Sequence, residues 1–424
     1  MSEGAAASVH WRILPPGITA DAAWIIAGRG VRAFADGFVA LLLPIYLVEL
    51  GFDAFAVGTI VTGTLLGSAV LTMAVGLIAN RVSRRRLLLA GCLLMILTGA
   101  GLGVASDYWP ILLVAVVGTA NPGAGDAGIF PPLEQTMLTQ SVDGKSRTAL
   151  FARYSLVGTL VGALGALAAA IPDFLVAEGV LGYLGSIRAM FWLYGAFGVL
   201  AALCYRPLSA AVETDTAAPA APLGRSRGIV FKLAALFSLD SLGSGLFVQS
   251  LLALWLYQRF GLSISATANI LFWTSVCSAV SYLLAVPLSE RIGLIRTMVF
   301  THLPSNVLLM LVPVAPNLPI AVGLLVLRSL LSQMDVPTRA SYVMAVVTPA
   351  ERPAAASVTS VPRTITGALS PSLAGYLMTL SGFGWSLILA GLIKSIYDLL
   401  LLYGFQHLRP PEEQPQPIQN RPGK

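Results

Sequence analysis

The stretch GLIANRVSRRR (residues 76–86) separates two long apolar segments, and VPLSERIGLIR (286–296) occupies the same place later in the chain. Arg291 lies 210 positions after Arg81. The same offset of 210 relates four further pairs: Glu290 to Asn80, Gly261 to Gly51, Arg363 to Arg153 and Gly375 to Gly165. A constant offset indicates that the chain contains two copies of one unit.

The composition places both copies in a membrane. Of 424 residues, 56% are hydrophobic and 11% are charged, and the mean hydropathy is +0.80. Water-soluble domains do not carry this mixture. About 20 apolar residues cross the hydrocarbon core, because each adds about 1.5 Å of helix. Twelve segments qualify: about 22–48, 55–79, 87–105, 109–139, 148–170, 187–205, 229–257, 266–289, 297–315, 318–347, 354–380 and 385–406.

These spans predict an all-α membrane protein of two six-helix halves, residues 22–206 and 229–406. An even number of spans makes the halves parallel. They are joined by a cytoplasmic linker (207–228) and flanked by a cytoplasmic amino end (1–21) and a disordered cytoplasmic tail (407–424). Lys and Arg concentrate on one side, and the opposite loops carry only Arg188 and Arg259. This bias predicts both termini inside, in a bacterial inner membrane.

The surplus of positive charge does not indicate a nucleic-acid partner. The net charge is +6, but the basic residues lie in short loops without interleaved aromatic side chains. Lipid headgroups are the expected partner of these loops. The three cysteines lie in separate apolar segments, without the spacing of a disulfide or metal site.

The loop 76–86 resembles the cytoplasmic signature loop of the major facilitator superfamily, although Asn80 replaces the usual Asp and Ser83 the usual Gly. The second copy keeps an acid, Glu290, and the glycine, Gly293. The resemblance implies a monomeric secondary transporter that uses no cofactor and draws on an ion gradient, with protons as the expected ion, or on the gradient of the solute itself. It also implies that the loops form a cytoplasmic gate, for which we select Gly76, Asn80, Arg81, Arg84, Arg153, Glu290, Arg291 and Arg363. Positive-inside anchoring alone is the alternative role of the arginines.

A second family feature bears on the direction of transport. Gly158, Gly162 and Gly165 share one face of the fifth span, as in the glycine-rich fifth helix of antiporters, but the usual proline is missing. The eleventh span carries Gly367, Pro371 and Gly375. Close packing of helices is the alternative explanation. The resemblance therefore suggests antiport.

Charges inside the predicted spans must face partners, water or solute, since each costs at least about 2.5 kcal/mol at a helix centre. Arg32 and Asp36 lie four residues apart, on one face of the first span. A buried carboxylate beside an arginine is suited to proton exchange, so we predict that this pair couples transport to protons. A static ion pair that only holds the fold is the alternative.

The fourth and tenth spans, which correspond in the repeat, each place prolines next to acids, as in the run from Asn121 to Gln135. Interrupted helices at equivalent positions of two halves point to the binding site of a transporter. In the family, the first, fourth, seventh and tenth helices line the cavity. The predicted substrate-binding residues are Asp126, Glu134, Asp240, Gln249, Arg328 and Asp335. We expect Lys394 and Asp398, on the twelfth span, to form a structural pair.

Together these features predict proton-coupled export of a small solute by alternating access about a midplane site. A proton symporter or uniporter for a polar or anionic nutrient is the first alternative. A solute sensor or lipid scramblase on the same fold is a further one.

Overall fold

The computed structural model describes residues 19–78, 81–123, 128–140, 144–213, 223–224, 226–348 and 351–406. These residues are largely helical. The first half contains α1 (Ala20–Glu49), α2 (Ala54–Ile78), α3 (Arg84–Val104), α4 (Tyr108–Val117), α5 (Phe130–Gln140), α6 (Gly144–Ala168), α7 (Ile171–Ala177) and α8 (Tyr183–Tyr205). The second contains α9 (Arg227–Gly245), α10 (Gln249–Phe260), α11 (Ile264–Ile292), α12 (Leu294–Leu311), α13 (Leu318–Leu331), α14 (Asp335–Ala345), α15 (Arg352–Leu380) and α16 (Trp385–Phe405).

Ten spans in the described residues are long and apolar enough to cross a membrane, against the twelve predicted. The first difference is the predicted span 109–139, which consists of the two shorter helices α4 and α5. The second difference is the predicted span 354–380, which is not among the ten. Its helix, α15, is long enough at 29 residues but is rich in Ser, Thr and Pro. Both segments occupy their places in the repeat, and the number twelve stays a prediction.

The repeat is visible in where the helices begin. Three pairs of helices begin 210 residues apart. Helix α2 begins at 54 and α11 at 264, α3 begins at 84 and α12 at 294, and α4 begins at 108 and α13 at 318. The capping contacts repeat as well: the Asp53 carboxylate accepts the Ala56 N–H at 2.7 Å, and the Ser263 hydroxyl accepts the Ala266 N–H at 3.1 Å. These side chains satisfy amide groups that have no partner within the helix.

The turns that precede these two helices share a conformation. Gly51 and Gly261 have φ values of 90° and 59°, a region that disfavours residues with a Cβ atom. The offset found in the sequence is therefore an offset between equivalent structural positions.

Both predicted helix interruptions are present. The fourth span breaks between α4 and α5, and the tenth breaks between α13 and α14. A third break, which the sequence did not predict, separates α9 from α10. Two of the breaks meet across the halves, because the Ser250 N–H at the start of α10 donates to the Pro122 carbonyl at 3.1 Å. Irregular backbone thus gathers at the centre of the molecule, where its polar groups find partners.

The two halves contact each other closely at one end of the bundle, which we term the closed end. There α2 and α15 approach so tightly that a Cβ at Gly58 would lie 2.4 Å from the Pro371 carbonyl oxygen. The Ser372 hydroxyl donates to the Thr62 hydroxyl at 2.7 Å. The Asp173 carboxylate, after α6, accepts the Ser265 N–H of α11 at 2.9 Å. Small residues permit this approach, as expected for packed membrane helices.

At the other end, termed the open end, the same two helices diverge. Thr72 and Met73 of α2 and Ser360 and Thr364 of α15 line a cavity of about 660 Å³ between the halves. Leu77, near the end of α2, is 75% exposed. The halves therefore enclose a cavity that is shut at one end and widens toward the other.

Two carboxylates hold the described ends of the linker between the halves, at the open end. Asp21, at the start of α1, accepts the Ser209 N–H at 2.9 Å and its hydroxyl at 2.6 Å. Glu351, before α15, accepts the Gly224 N–H and the hydroxyls of Ser226 and Thr348. These bonds lower the pKa of Glu351 from 4.5 to about 2.

The lowered pKa of Glu351 predicts a pH-dependent stability. Because the folded-state pKa lies below the unfolded one, the contribution is fully present above about pH 4.5 and is lost as pH falls toward 2. We expect Glu351→Gln to lower the unfolding temperature in detergent at pH 7, with a smaller difference from the native chain at pH 3. A difference of equal size at both pH values would contradict this role of the charge.

Candidate functional site

The first half encloses a cluster of polar side chains around Glu134 of α5. The Arg32 guanidinium of α1 donates to Glu134 Oε2 at 2.6 Å, and Tyr154 of α6 donates to the same oxygen at 2.5 Å. Tyr205 of α8 donates to Oε1. The Arg32 guanidinium also lies 4.0 Å from the centroid of the Phe130 ring. Both carboxylate oxygens are thus satisfied within the half, and Glu134 is completely buried.

Asp36 lies one turn further along α1, in a different environment. Arg32 directs its hydrogen bonds to Glu134 and Tyr205, and the Asp36 carboxylate accepts a long bond of 3.4 Å from the Tyr194 hydroxyl. Tyr194 also lies 3.0 Å from the Thr119 carbonyl oxygen. One hydroxyl proton cannot serve both acceptors, whereas a protonated Asp36 can donate to Tyr194 while Tyr194 donates to Thr119. The geometry therefore accommodates both protonation states of Asp36.

A small cavity adjoins this carboxylate. It has a volume of about 20 Å³ and is lined by Asp36, Arg32, Ser68 and Tyr194, among others. A space of that size with several polar walls can hold one water molecule. Ser68 also lines the large cavity between the halves, so the two spaces adjoin.

The second half contains a polar cavity of about 320 Å³. Four of the six predicted substrate-binding residues lie together on its wall: Asp240, Gln249, Arg328 and Asp335. Glu134 lies apart from them in the saturated cluster of the first half, and Asp126 lies outside the described residues. The cavity shares Gly123, Ser244, Val248 and Arg363 with the large cavity between the halves.

Positive charge exceeds negative charge on this wall. The lining cations are Arg328, Arg339, Arg363 and Lys394, and the lining carboxylates are Asp240 and Asp335, four against two. The Nε atoms of Arg328 and Arg363 are buried without a hydrogen-bond partner among the described residues. Serines, Thr274 and two glutamines supply further hydrogen-bonding groups.

Asp240 is the centre of the charge network in this cavity. Lys394 Nζ lies 2.6 Å from its Oδ1, and Arg339 Nη1 lies 3.0 Å from its Oδ2. Arg339 also contacts Asp335 at 3.2 Å, one helical turn away on α14. The sequence missed the role of Lys394, since the expected pair with Asp398 is replaced by contact with Asp240. Asp398 instead pairs with His302 Nδ1, at 3.0 Å.

The two halves place opposite charges on corresponding helices. Glu134 lies on α5 and Arg339 lies on α14, the helices that follow the interruptions of the fourth and tenth spans. Each pairs with a charge near the middle of the first helix of its half: Glu134 with Arg32 and Arg339 with Asp240. Corresponding helices thus form ion pairs of opposite polarity in the two halves.

The predicted gate residues are distributed around the open end. Four of them are exposed: Gly76, Arg81, Glu290 and Arg291. Arg84 is buried and Arg153 is half-buried. Arg363 is half-buried and lines both cavities, so its position also suits contact with solute. Asn80 lies outside the described residues.

Comparisons with known proteins agree with this architecture. The sequence model of the Major Facilitator Superfamily matches residues 25–237 and again 233–423, one match for each half. An uncharacterised membrane protein of Saccharomyces cerevisiae, YJR124C, is 24% identical over 88% of this chain and 91% of its own length.

Two solved structures share the fold. One is a bacterial homologue of the human lysosomal transporter Spinster, in an inward-facing and unoccupied conformation, with a TM-score of 0.71 and 15% identity over 93% of this chain and 98% of that one. The other is the nucleoside transporter NupG, with a TM-score of 0.68 and 14% identity over 92% of this chain and 98% of that one.

Two helical halves enclose a cavity that adjoins a polar cavity of the second half, an architecture shared with membrane transporters. The chain belongs to the Major Facilitator Superfamily, as its signature loop indicated.

The saturated cluster of the first half predicts a stability effect. Glu134→Gln leaves Arg32 buried without its counter-charge, and breaking a buried pair in this way costs about 3 kcal/mol or more. Tyr154→Phe removes one hydrogen bond and should cost about 1 kcal/mol. Urea or thermal unfolding of both variants in detergent measures the difference, and equal effects would contradict a structural role for the ion pair.

Proposed function

We propose that this protein is a secondary transporter that moves a small organic anion by alternating access, and that the cavity of the second half is its binding site. The observation that carries the proposal is the excess of cations over carboxylates on a buried wall. An uncompensated charge is costly in a membrane interior, so a bound anion stabilises this arrangement.

The chemistry of the cations supports a carboxylate or a similar planar anion. Guanidinium groups offer several N–H donors in a fixed fork that matches two oxygens of one anion. Arg328 and Arg363 each have an unoccupied Nε donor among the described residues. Arg328 stacks 4.5 Å from the Phe247 ring centroid, which holds its guanidinium in place. The cavity of about 320 Å³ limits the solute to a small molecule, and its serines suit a hydroxylated one.

The contact pattern between the halves supports alternating access. A solute enters from the open end through the cavity of about 660 Å³ and reaches the second half past Ser244 and Arg363. With the predicted orientation the open end faces the cytoplasm. This corresponds to the inward-facing conformation of the Spinster homologue. Rocking of the halves then separates the Gly58–Gly375 contact and brings the gate loops 76–86 and 286–296 together.

We propose protons as the coupling ion, with Asp36 as one exchanging group beside its small cavity. Export, the direction that the glycine motifs suggest, stays a prediction. An anionic solute favours the alternative, symport, because a proton and an anion that cross the membrane together carry no net charge.

The charge requirement is tested with two probes of similar size, D-gluconate and D-glucose. We expect gluconate to raise the unfolding temperature of the purified protein and glucose to have little effect, since only the former carries a charge. Arg328→Gln should weaken gluconate binding about tenfold or more. Arg227→Gln, an exposed arginine of the same half, is the control and should bind as the native chain does. Equal stabilisation by both probes would contradict an anion site.

Coupling is tested with Asp36→Asn. Because the variant cannot ionise, proton-driven accumulation of labelled gluconate in vesicles should fall to background, while exchange between equal concentrations continues. Undiminished accumulation against a gradient would show that Asp36 is structural.

A further inference from the structure

His302 is a titratable group of the cavity wall that the sequence did not single out. It belongs to α12, is 2% exposed and lines the cavity of the second half beside Asp240 and Lys394. Neutral imidazole and imidazolium are both accessible near neutral pH, which makes histidine a common protonation switch.

One face of the imidazole is fixed by Asp398. His302 Nδ1 lies 3.0 and 3.1 Å from the two oxygens of this carboxylate, which is fully buried on α16. Asn306, one turn further along α12, donates to Asp398 Oδ2 at 2.8 Å and holds the carboxylate in place. With its hydrogen on Nδ1 donated to this carboxylate, the imidazole gains or loses a proton at Nε2.

The other face of the imidazole approaches the central carboxylate of the cavity. His302 Nε2 lies 3.9 Å from Asp240 Oδ1, the same oxygen that Lys394 contacts at 2.6 Å. Arg339 occupies the second oxygen, Oδ2. Lys394 and a protonated His302 thus face the same oxygen atom, where their like charges repel each other.

The remaining charged and titratable neighbours complete the environment. Asp335 of α14, Arg328 of α13 and Arg363 of α15 line the same cavity, and the ring of Tyr397 of α16 stands edge-on to the imidazole at 6.1 Å between centroids.

We propose that His302 links protonation to anion binding in this cavity, by replacing Lys394 at Asp240 when its Nε2 takes up a proton. The proton enters from the cavity, the imidazolium bonds to Asp240 Oδ1, and the Lys394 ammonium is released to the bound anion. Ser244, which accepts from Lys394 Nζ at 2.7 Å, lies at the junction of the two cavities and holds the released ammonium toward the entering solute. This inference rests on the anion site proposed above.

The arrangement makes the proton and the anion cooperative ligands. Protonation adds one positive charge to a wall that already favours an anion, and by linkage the anion favours protonation by the same factor. The two then enter and leave the site together, which is the requirement for symport.

The test uses full-length protein in which His10 and His407 are replaced by Gln, so that His302 is the only remaining histidine. With ¹⁵N-labelled histidine, we expect the Nε2 resonance to report a change of protonation between pH 5 and 8. Saturating D-gluconate at pH 7 should shift the population toward imidazolium. Calorimetry in buffers of different ionisation enthalpy should show proton uptake that peaks at about half a proton per anion bound, as a roughly tenfold coupling requires.

Variants assign that proton to His302. Native protein should bind gluconate about tenfold more tightly at pH 5.5 than at pH 8. His302→Gln should bind with an affinity that does not change over this range. Thr301→Val is the matched control, because Thr301 is the preceding residue and its hydroxyl bonds within α12 to the Thr297 carbonyl. It should keep the native pH dependence.

The possible failures are distinct. An Nε2 that keeps one protonation state from pH 5 to 8, or a pH dependence that persists in His302→Gln, would overturn the switch. If His302→Gln does not fold, the resonance and calorimetry of the native histidine decide. A histidine that titrates normally in a protein that binds no gluconate or other carboxylate at any pH would overturn the anion site, and the linkage with it.

Discussion

The need to neutralise buried charge governs this structure. Each half carries charged side chains across the interior of a helical bundle, where every unpaired ion is costly. In the first half the Arg32–Glu134 pair, supported by two tyrosines, meets this need completely. In the second half Asp240 forms ion pairs with Arg339 and Lys394, and the cavity wall still carries more cations than carboxylates. The halves therefore share an architecture and differ in how fully their charges are compensated.

This difference suggests a division of labour between two copies of one unit. A saturated cluster resists rearrangement, because moving any member leaves a buried charge without its partner. In a cavity with surplus cations, a cation can leave a protein carboxylate and bind an anionic solute, so that it remains paired with a negative charge. The same asymmetry is seen in the opposite charges of Glu134 on α5 and Arg339 on α14, each of which forms an ion pair with the first helix of its half.

The glycine contacts at the closed end define how such a site can be opened. Gly58 and Gly375 bring α2 and α15 together at one end, whereas the same helices line opposite walls of a cavity at the other. The α2–α15 contact is built mainly from backbone surfaces and the Thr62–Ser372 hydroxyl pair, and it holds no ion pair between the two helices among the described residues. The Asp173 carboxylate, which binds Ser265 across the halves, must exchange these hydrogen bonds for others when the closed end separates.

The sequence by itself determined the membrane class, the two-fold repeat and the interruptions near Pro122 and Pro337, because hydropathy, residue offset and proline act locally along the chain. Four of the residues predicted to bind substrate, on helices that line the cavity in the family, lie on the wall of one cavity: Asp240, Gln249, Arg328 and Asp335. The sequence did not predict which side chains on different helices form ion pairs with each other. Helical periodicity suggested Lys394 with Asp398 and Arg32 with Asp36, each four residues apart, but Lys394 reaches Asp240 and Arg32 reaches Glu134. Only the packing of α16 against α9 and of α5 against α1 decided these pairs and brought His302 between two carboxylates. A long side chain can reach several neighbouring groups, and the sequence alone does not give the positions of those groups in space.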